Sequence, residues 1–514
     1  MSAPRRIAGI AKADFLERVR KFSFFACAAL LAFAVFWFVP RPSGFTALVI
    51  EPDRFLQGSD PSWVPMASAM CGGMLLCLVG FVYVKNAVRR DRELGILSLV
   101  QTSPLKRSAY LFGKLLSNTL LLLLFLCCIA AASFLTMEIR FPGKLIPLYA
   151  FVSPFLCVAP GLLFVSALAL LTDCAPLFRG SSGLSAAVFA CLFILLLTLG
   201  SLGLNPYRLT SVFDFSGYLW MRDSISEAAR AATGQPVTRI SVFTDSHESG
   251  SQLKALAFGG LTPSASYLAD KLVLIAVSFL LTFVSSLLLP KWQKAVPEAA
   301  AKGKTQSREK PARVPRFRYG LTRSEASILL KGRPAFWWAA AAGFWLAGCF
   351  APMDSVRGTI FPLAFVWTLP VFSQMGCLEH RTGVVSVLRA MPNGPFLHAL
   401  FCWKAGFAVS FVTALPALLR CLASGNFADV VSVLVFSFVL PCAALCLGEW
   451  TKSNRPFEIF FLLLCYMMLE IPSFVFPGGS FTRAAALRLA GAALAAGAAL
   501  FLTLTGKAVS PRTA

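Results

Sequence analysis

The chain has 514 residues, 57% of them hydrophobic and only 14% charged, and its mean hydropathy is +0.72. Soluble domains average about 45 to 50% apolar and about 25% charged residues, so a soluble enzyme is excluded and a polytopic helical membrane protein is expected. An excess of 47 Lys and Arg over 24 Asp and Glu would point to nucleic acid in a soluble chain; here the excess has to be read against the membrane spans, and no nucleic-acid partner is expected.

The chain opens on a basic stretch. Residues 7–21 set Phe15, Leu16 and Val19 among Arg18, Arg20 and Lys21, which predicts a helix lying at the membrane interface. A crossing needs about 20 apolar residues, and runs of that kind fall at 22–39, 63–84, 115–136, 146–171, 184–204 and 272–290. Six more follow at 335–352, 360–376, 405–421, 429–447, 457–476 and 484–505. No small-x-small cleavage motif follows Val39-Pro40-Arg41-Pro42, so the first run reads as a retained span and not as a signal peptide. The expected fold is all-α, with about 12 transmembrane helices.

Between residues 291 and 334 the composition breaks, with 12 basic residues and Pro297, Pro311, Pro315 and Pro334. Its first part, 291–322, reads as a solvated linker. It separates a first six-span unit, 1–290, from a second, 323–514. Six is even, so both units start on the same side and any repeat is parallel, not inverted. With the N-terminus inside, the inward segments hold 33 of the 47 basic residues and the outward ones 11, with Lys271, Arg420 and Arg488 in or at the edge of spans. Cytoplasmic segments carry this excess, so both termini are expected on the cytoplasmic side of the plasma (inner) membrane. The 15 cysteines lie in spans or near span ends, with none in an outward segment, and read as packing residues.

A repeat is testable in the inward segment after the second span of each unit, 85–114 and 377–404. The first carries Asp91, Arg92, Glu93, Gly95, Ser98, Pro104 and Lys114; the second carries Glu379, His380, Arg381, Gly383, Ser386, Pro392 and Lys404. The acidic residue, glycine, serine and proline superimpose at one offset of 288 positions, and only the lysine drifts, by two. Ile96, Leu97, Leu99 and Val100 are matched by Val384, Val385, Val387 and Leu388, predicting short apolar helices that end before a proline.

These features resemble the permease subunits of ABC type-2 exporters: an acidic cluster and a glycine after the second span, an apolar stretch, Thr102-Ser103-Pro104, Arg107, then Gly113-Lys114. The second unit departs from the pattern, with Arg381 where the first has Glu93, Met391 before the proline, and Trp403 before Lys404. The resemblance implies an exporter permease in which two six-span units are fused, and in which the two inward segments dock onto two copies of a separate ATPase subunit. Asp91, Glu93, Gly95, Ser98, Pro104 and Lys114 would form one docking site, and Glu379, Arg381, Gly383, Ser386, Pro392 and Lys404 the other. Glu325 to Lys331 would be the counterpart of the first interfacial helix.

No motor is expected in this chain. Gly113-Lys114, Gly143-Lys144, Gly303-Lys304 and Gly506-Lys507 each lack the first glycine of the phosphate-binding loop, having Ser108, Glu138, Glu298 and Phe501 there. In the exporter that the resemblance implies, ATP and Mg are therefore expected on the partner subunits, and this chain is not expected to be an enzyme. Two other classes stay open. A secondary transporter would use charged groups in the membrane, for which Asp270, Lys271, Glu470 and Arg488 are the candidates. A membrane-embedded lipid-modifying enzyme would need a convergent set of acid and base groups, and none is visible. The three histidines, His247, His380 and His398, have no metal-ligand spacing. The longest outward segment, 205–264, has a helix start at Asp223 to Glu227; it is expected to cover the outer mouth or contact a partner, or else to form a plain surface loop.

Overall fold

The computed structural model describes residues 3–38, 48–51, 55–56, 61–97, 100, 105–175, 188, 191–192, 195, 211–233, 239–242, 258–293, 321–331, 333, 335–391, 393–470, 475–477 and 483–509. The chain divides into two compact units, Met1–Arg308 and Glu309–Ala514, a division that falls inside the basic stretch 291–322. Both are predominantly helical, and among the described residues eight helices are long and apolar enough to cross a membrane. This is a helical, membrane-embedded protein.

In the first unit, α1 (Ala3–Val19) meets α2 (Phe22–Phe38) at a bend of 74°. The sequence explains the break: α2 is an uninterrupted apolar run, whereas α1 carries Arg5, Arg6, Lys12, Asp14, Glu17 and Arg18, which no lipid-facing span tolerates. Next come α3 (Trp63–Val84), α4 (Ala87–Glu93), α5 (Arg107–Arg140), α6 (Leu148–Cys174), α7 (Tyr218–Thr233) and α8 (Ala265–Gln293). Almost every residue of α3 is buried, so it is the axis on which α5, α6 and α2 pack.

One element departs from the all-α expectation. Strands β1 (Leu48–Glu51), β2 (Phe55–Leu56) and β3 (Arg239–Val242) form an antiparallel sheet in the order β2-β1-β3. Leu48 faces Val242 and Glu51 faces Arg239, while Val49 faces Leu56. The segment 205–264 is therefore tied to the segment after the first span. It also holds α7, which starts at Tyr218 and not at Asp223. The reason is Asp214, whose carboxylate accepts the backbone N–H of Tyr218 at 3.1 Å and of Leu219 at 2.9 Å, satisfying donors that a helix start leaves open.

The second unit contains α9 (Leu321–Leu330), α10 (Ala335–Phe350), a π-turn at Val356–Ile360 leading into α11 (Phe361–Phe372), α12 (Leu378–Thr382), α13 (Val385–Ala390), α14 (Gly394–Ala423), α15 (Phe427–Thr451), α16 (Arg455–Glu470) and α17 (Arg483–Val509). Its core is an aromatic cluster in which the Phe361 ring lies 4.9 Å from Phe365, 5.7 Å from Phe436 and 5.1 Å from Phe476. At the π-turn Arg357 donates to Asp429 at 2.7 Å, and Asp429 is wholly buried.

Eleven of the twelve expected span positions carry an apolar helix. Three of these, α2 with 17 residues and α10 and α16 with 16 each, are short of the roughly 20 that a crossing takes. The remaining position, 184–204, lies outside the described residues apart from 188, 191, 192 and 195.

Candidate functional site

In the first unit the segment after the second span is held by an internal ion cluster. Lys114, about two turns into α5, reaches Asp14 of α1 at 2.6 Å and Asp91 of α4 at 2.7 Å. Asp14 also pairs with Arg18 at 2.7 Å and accepts Ser117 at 2.6 Å. Tyr110 donates its hydroxyl to Asp91 at 2.6 Å, and Arg18 donates to Asn118 at 2.7 Å. Asp14, Arg18, Asp91 and Lys114 are all buried. Burial alone would raise the Asp14 carboxyl, but Arg18 and Lys114 with the Lys114 and Ser117 hydrogen bonds outweigh it and bring it down to about 2.

Gly113 makes this cluster reachable. A Cβ there would sit 2.9 Å from Ile10 and 3.3 Å from the Ile7 carbonyl oxygen, so the glycine lets α1 cross α5 closely enough for Asp14 to meet Lys114. At the surface Arg90 and Lys21 both pair with Glu17, and Asp173 at the end of α6 accepts the N–H groups of Asn86 and Val88 at 2.9 and 3.0 Å. Three elements, α1, α5 and α6, thus converge on a seven-residue helix.

The second unit builds the same corner from other residues. His398 on α14 lies 2.8 Å from Glu379 of α12 through Nδ1 and 3.3 Å from Glu325 of α9 through Nε2. The Asp91–Tyr110 pair and the Glu379–His398 pair are separated by the same offset of 288 positions. Arg92, which interacts with Asp173, is matched at that offset by His380, 3.7 Å from Glu449 at the end of α15. Burial pushes the Glu325 carboxyl up, His398 opposes this and Glu379 adds to it, leaving it above the ordinary value.

The expected docking residues therefore divide into two sets. Asp91, Lys114 and Glu379 are buried anchors, which removes them from any surface contact. Gly95 and Gly383 are exposed turns with φ of +72° and +74°, the left-handed conformation that glycine adopts without strain. Ser386 is exposed and its hydroxyl donates to the Gly383 carbonyl at 3.3 Å. Lys404 is exposed over the Phe401 ring at 5.3 Å and takes no part in the cluster; at the offset of 288 the position of Lys114 is Cys402. Glu93 ends α4 and Arg381 lies within α12. Ser98, Pro104 and Pro392 lie outside the described residues.

Around the two glycines the surface is apolar. Leu94 is 60% and Ile96 40% exposed, and Val384 and Val387 are 42% and 53% exposed, while Leu97 beneath them is buried. Two rigidly anchored turns thus present aliphatic tips, an arrangement suited to docking.

Of the four candidate intramembrane groups, Asp270 and Lys271 belong to the first unit and Glu470 and Arg488 to the second. Asp270 accepts the Ser211 hydroxyl at 2.7 Å, and Lys271 is buried beside Asp214, 3.8 Å from its carboxylate. Glu470 is the last residue of α16, and Arg488 is exposed on α17. Sequence reasoning missed Asp14, Tyr110, His398, Glu449, Asp214, Arg357 and Asp429. The available signals were the i, i+4 spacing of Asp14 and Arg18 and the offset of 288 that links Tyr110 to His398. Among the described residues no His, Cys, Asp and Glu side chains are grouped to hold a metal ion, and His247 lies outside them.

No family model matches this sequence, and no curated protein or solved structure is similar to it.

Proposed function

We propose that the chain is the permease of an ABC-type exporter, a twelve-span protein of two parallel six-span units with both termini cytoplasmic, driven by ATP and Mg bound to separate ATPase subunits. The observation that carries this reading is the pair of exposed apolar turns at Leu94–Gly95–Ile96 and Gly383–Val384, each mounted on a buried ion cluster that ties it to a helix before the first span and to the third span of its unit. A docking element that transmits force needs both parts. Its tip offers apolar surface to a partner, and its base is fixed so that motion of the tip moves the spans instead of bending a loop. Two such elements per chain fit an ATPase that acts as a pair.

The test is co-purification from native membranes. The expected partner carries a phosphate-binding loop and separates from the Ile96→Glu, Val387→Glu double variant, which still folds and inserts; a folded double variant that keeps both the association and the transport contradicts the reading. A secondary transporter is the second reading, favoured by one observation, the buried Lys271–Asp214 pair. It predicts that Lys271→Met abolishes transport without any dependence on ATP.

A further inference from the structure

The first helix carries a charged face that its own packing leaves uncovered. Arg5, Lys12 and Arg20 are exposed, and among the described residues no acidic side chain pairs with any of them. At about 100° per residue the three lie within an arc of about 80°, with Gly9 and Leu16 between them and the exposed Ala13 beside Arg20. Ile10, Asp14 and Arg18 lie on the opposite side, where α1 packs on α5. We propose that this outer face is a binding surface for anionic lipid headgroups, so that α1 is held between α5 and the charged leaflet it lies against.

Two features put the face at headgroup level. Exposed Phe22 and Phe25 of α2 follow directly on Arg20 and Lys21, and exposed rings of that kind belong in hydrocarbon, so the junction of the two helices marks the edge of the apolar layer. From there α1 turns away at 74°. With α2 along the membrane normal, the stretch from Arg20 back to Arg5 runs about 22 Å along the α1 axis yet departs from that edge by only about 6 Å. This is less than the Debye length of about 8 Å at physiological ionic strength. Independently, Gly113, where α1 crosses α5, stands two positions before Leu115, the first residue of the apolar run 115–136.

The charge balance suits an anion. Residues 3–21 hold Arg5, Arg6, Lys12, Arg18, Arg20 and Lys21 against Asp14 and Glu17. Asp14 is buried against Arg18 and Lys114, and Glu17 already holds Lys21 and Arg90, so neither carboxylate neutralises the outer face. Arg5 and Lys12 are about 10 Å apart along the axis, and Lys12 and Arg20 about 12 Å, which lets each cation meet its own headgroup. An acidic protein surface offers the same charge, but the row of cations runs into lipid-facing rings at Phe22, and that continuity selects the bilayer. Basic residues beside a span are drawn to anionic lipid in this way. The surface does not depend on the docking reading.

The test places a photoreactive side chain at Ala13 of the full chain, in nanodiscs of mixed phosphatidylcholine and phosphatidylglycerol, and identifies the captured lipid by mass. Phosphatidylglycerol adducts should exceed the bulk share of that lipid about fivefold, the preference that one Lys or Arg confers at a charged surface. At about 1 M salt, where the Debye length is about 3 Å, the excess should vanish. The same probe at Phe33, exposed within α2, should report the bulk ratio. Arg5→Gln, Lys12→Gln and Arg20→Gln together should bring Ala13 to the bulk ratio and keep the unfolding midpoint, since none of the three belongs to the Lys114 cluster. A bulk ratio at Ala13 in the otherwise natural chain overturns the surface, as does an excess that survives in the folded triple variant. A probe at Ala13 that captures no lipid, or that captures a protein instead in native membranes, overturns it too. A partner ATPase that fails to appear leaves the lipid result standing, and a bulk ratio leaves the docking reading standing.

Discussion

Lys114 of α5 and Asp14 of α1 meet at 2.6 Å across 100 residues of sequence, both almost fully buried. This contact makes a basic N-terminal helix the base on which the Gly95 turn is mounted, because the same ammonium reaches Asp91 at 2.7 Å. Removing one partner from a buried ion cluster costs about 3 to 5 kcal/mol, since the remaining charges lose their counter-ion in a low-dielectric site. Lys114→Met should lower the unfolding midpoint of the purified protein accordingly, and adding Asp91→Asn should recover part of the loss. A single variant as stable as the natural chain would show that the cluster contributes nothing to the fold.

The pH response of this first corner should be confined to acid. Asp14 is held down at about 2 against an ordinary 3.8, so its contribution is complete above the ordinary value and is lost only as the pH falls through about 2. Hydrogen exchange of peptides covering 3–19 should therefore be flat from about pH 5 upward and rise only below about pH 4.

Gly113 fixes how closely α1 approaches α5. Gly113→Leu would place side-chain atoms where Ile10 and the Ile7 carbonyl oxygen now stand, an overpacking that costs about 1 to 3 kcal/mol. The expected readout is selective: residues 3–19 become susceptible to protease while the spans of the first unit keep their protection. An unchanged digestion pattern would mean that α1 can shift without releasing its hold.

In the second unit Arg357 and Asp429 join the π-turn to the start of α15 at 2.7 Å. Arg357→Met removes the cation that pairs with a carboxylate of no solvent exposure. The expected cost is again about 3 to 5 kcal/mol, read as a lower unfolding midpoint, and Arg357→Met combined with Asp429→Asn should restore most of it. Equal midpoints for the single variant and the natural chain would contradict this assignment.

The apolar helices were largely legible from run length, because a span must satisfy its backbone internally and clothe itself in apolar side chains. Gly95 and Gly383 were legible as a repeated turn, and both adopt positive φ. Asp91 and Glu379 were recognised as a pair but read as surface groups, because nothing in a single sequence reveals that Asp14 or His398 will fold against them. Lys404 was paired with Lys114 by residue type and by its place at the mouth of the third span; its drift of two positions was the warning, since the group that bridges the second corner is the His398 imidazole. The sheet was not legible either. Leu48–Glu51 and Arg239–Val242 pair across most of the first unit, with no hairpin turn between them to announce it.

The central claim is that both turns dock an ATPase, and site-specific photo-crosslinking in native membranes tests it most directly. A photoreactive side chain is placed at Ile96, at Val387, or at Leu145, which is 89% exposed beyond the end of α5 remote from Lys114. The account predicts that Ile96 and Val387 both capture a protein that carries a phosphate-binding loop and labels with an azido-ATP, and that Leu145 does not. Inserted, folded protein that yields no ATP-labelled adduct at Ile96 or Val387 would contradict it.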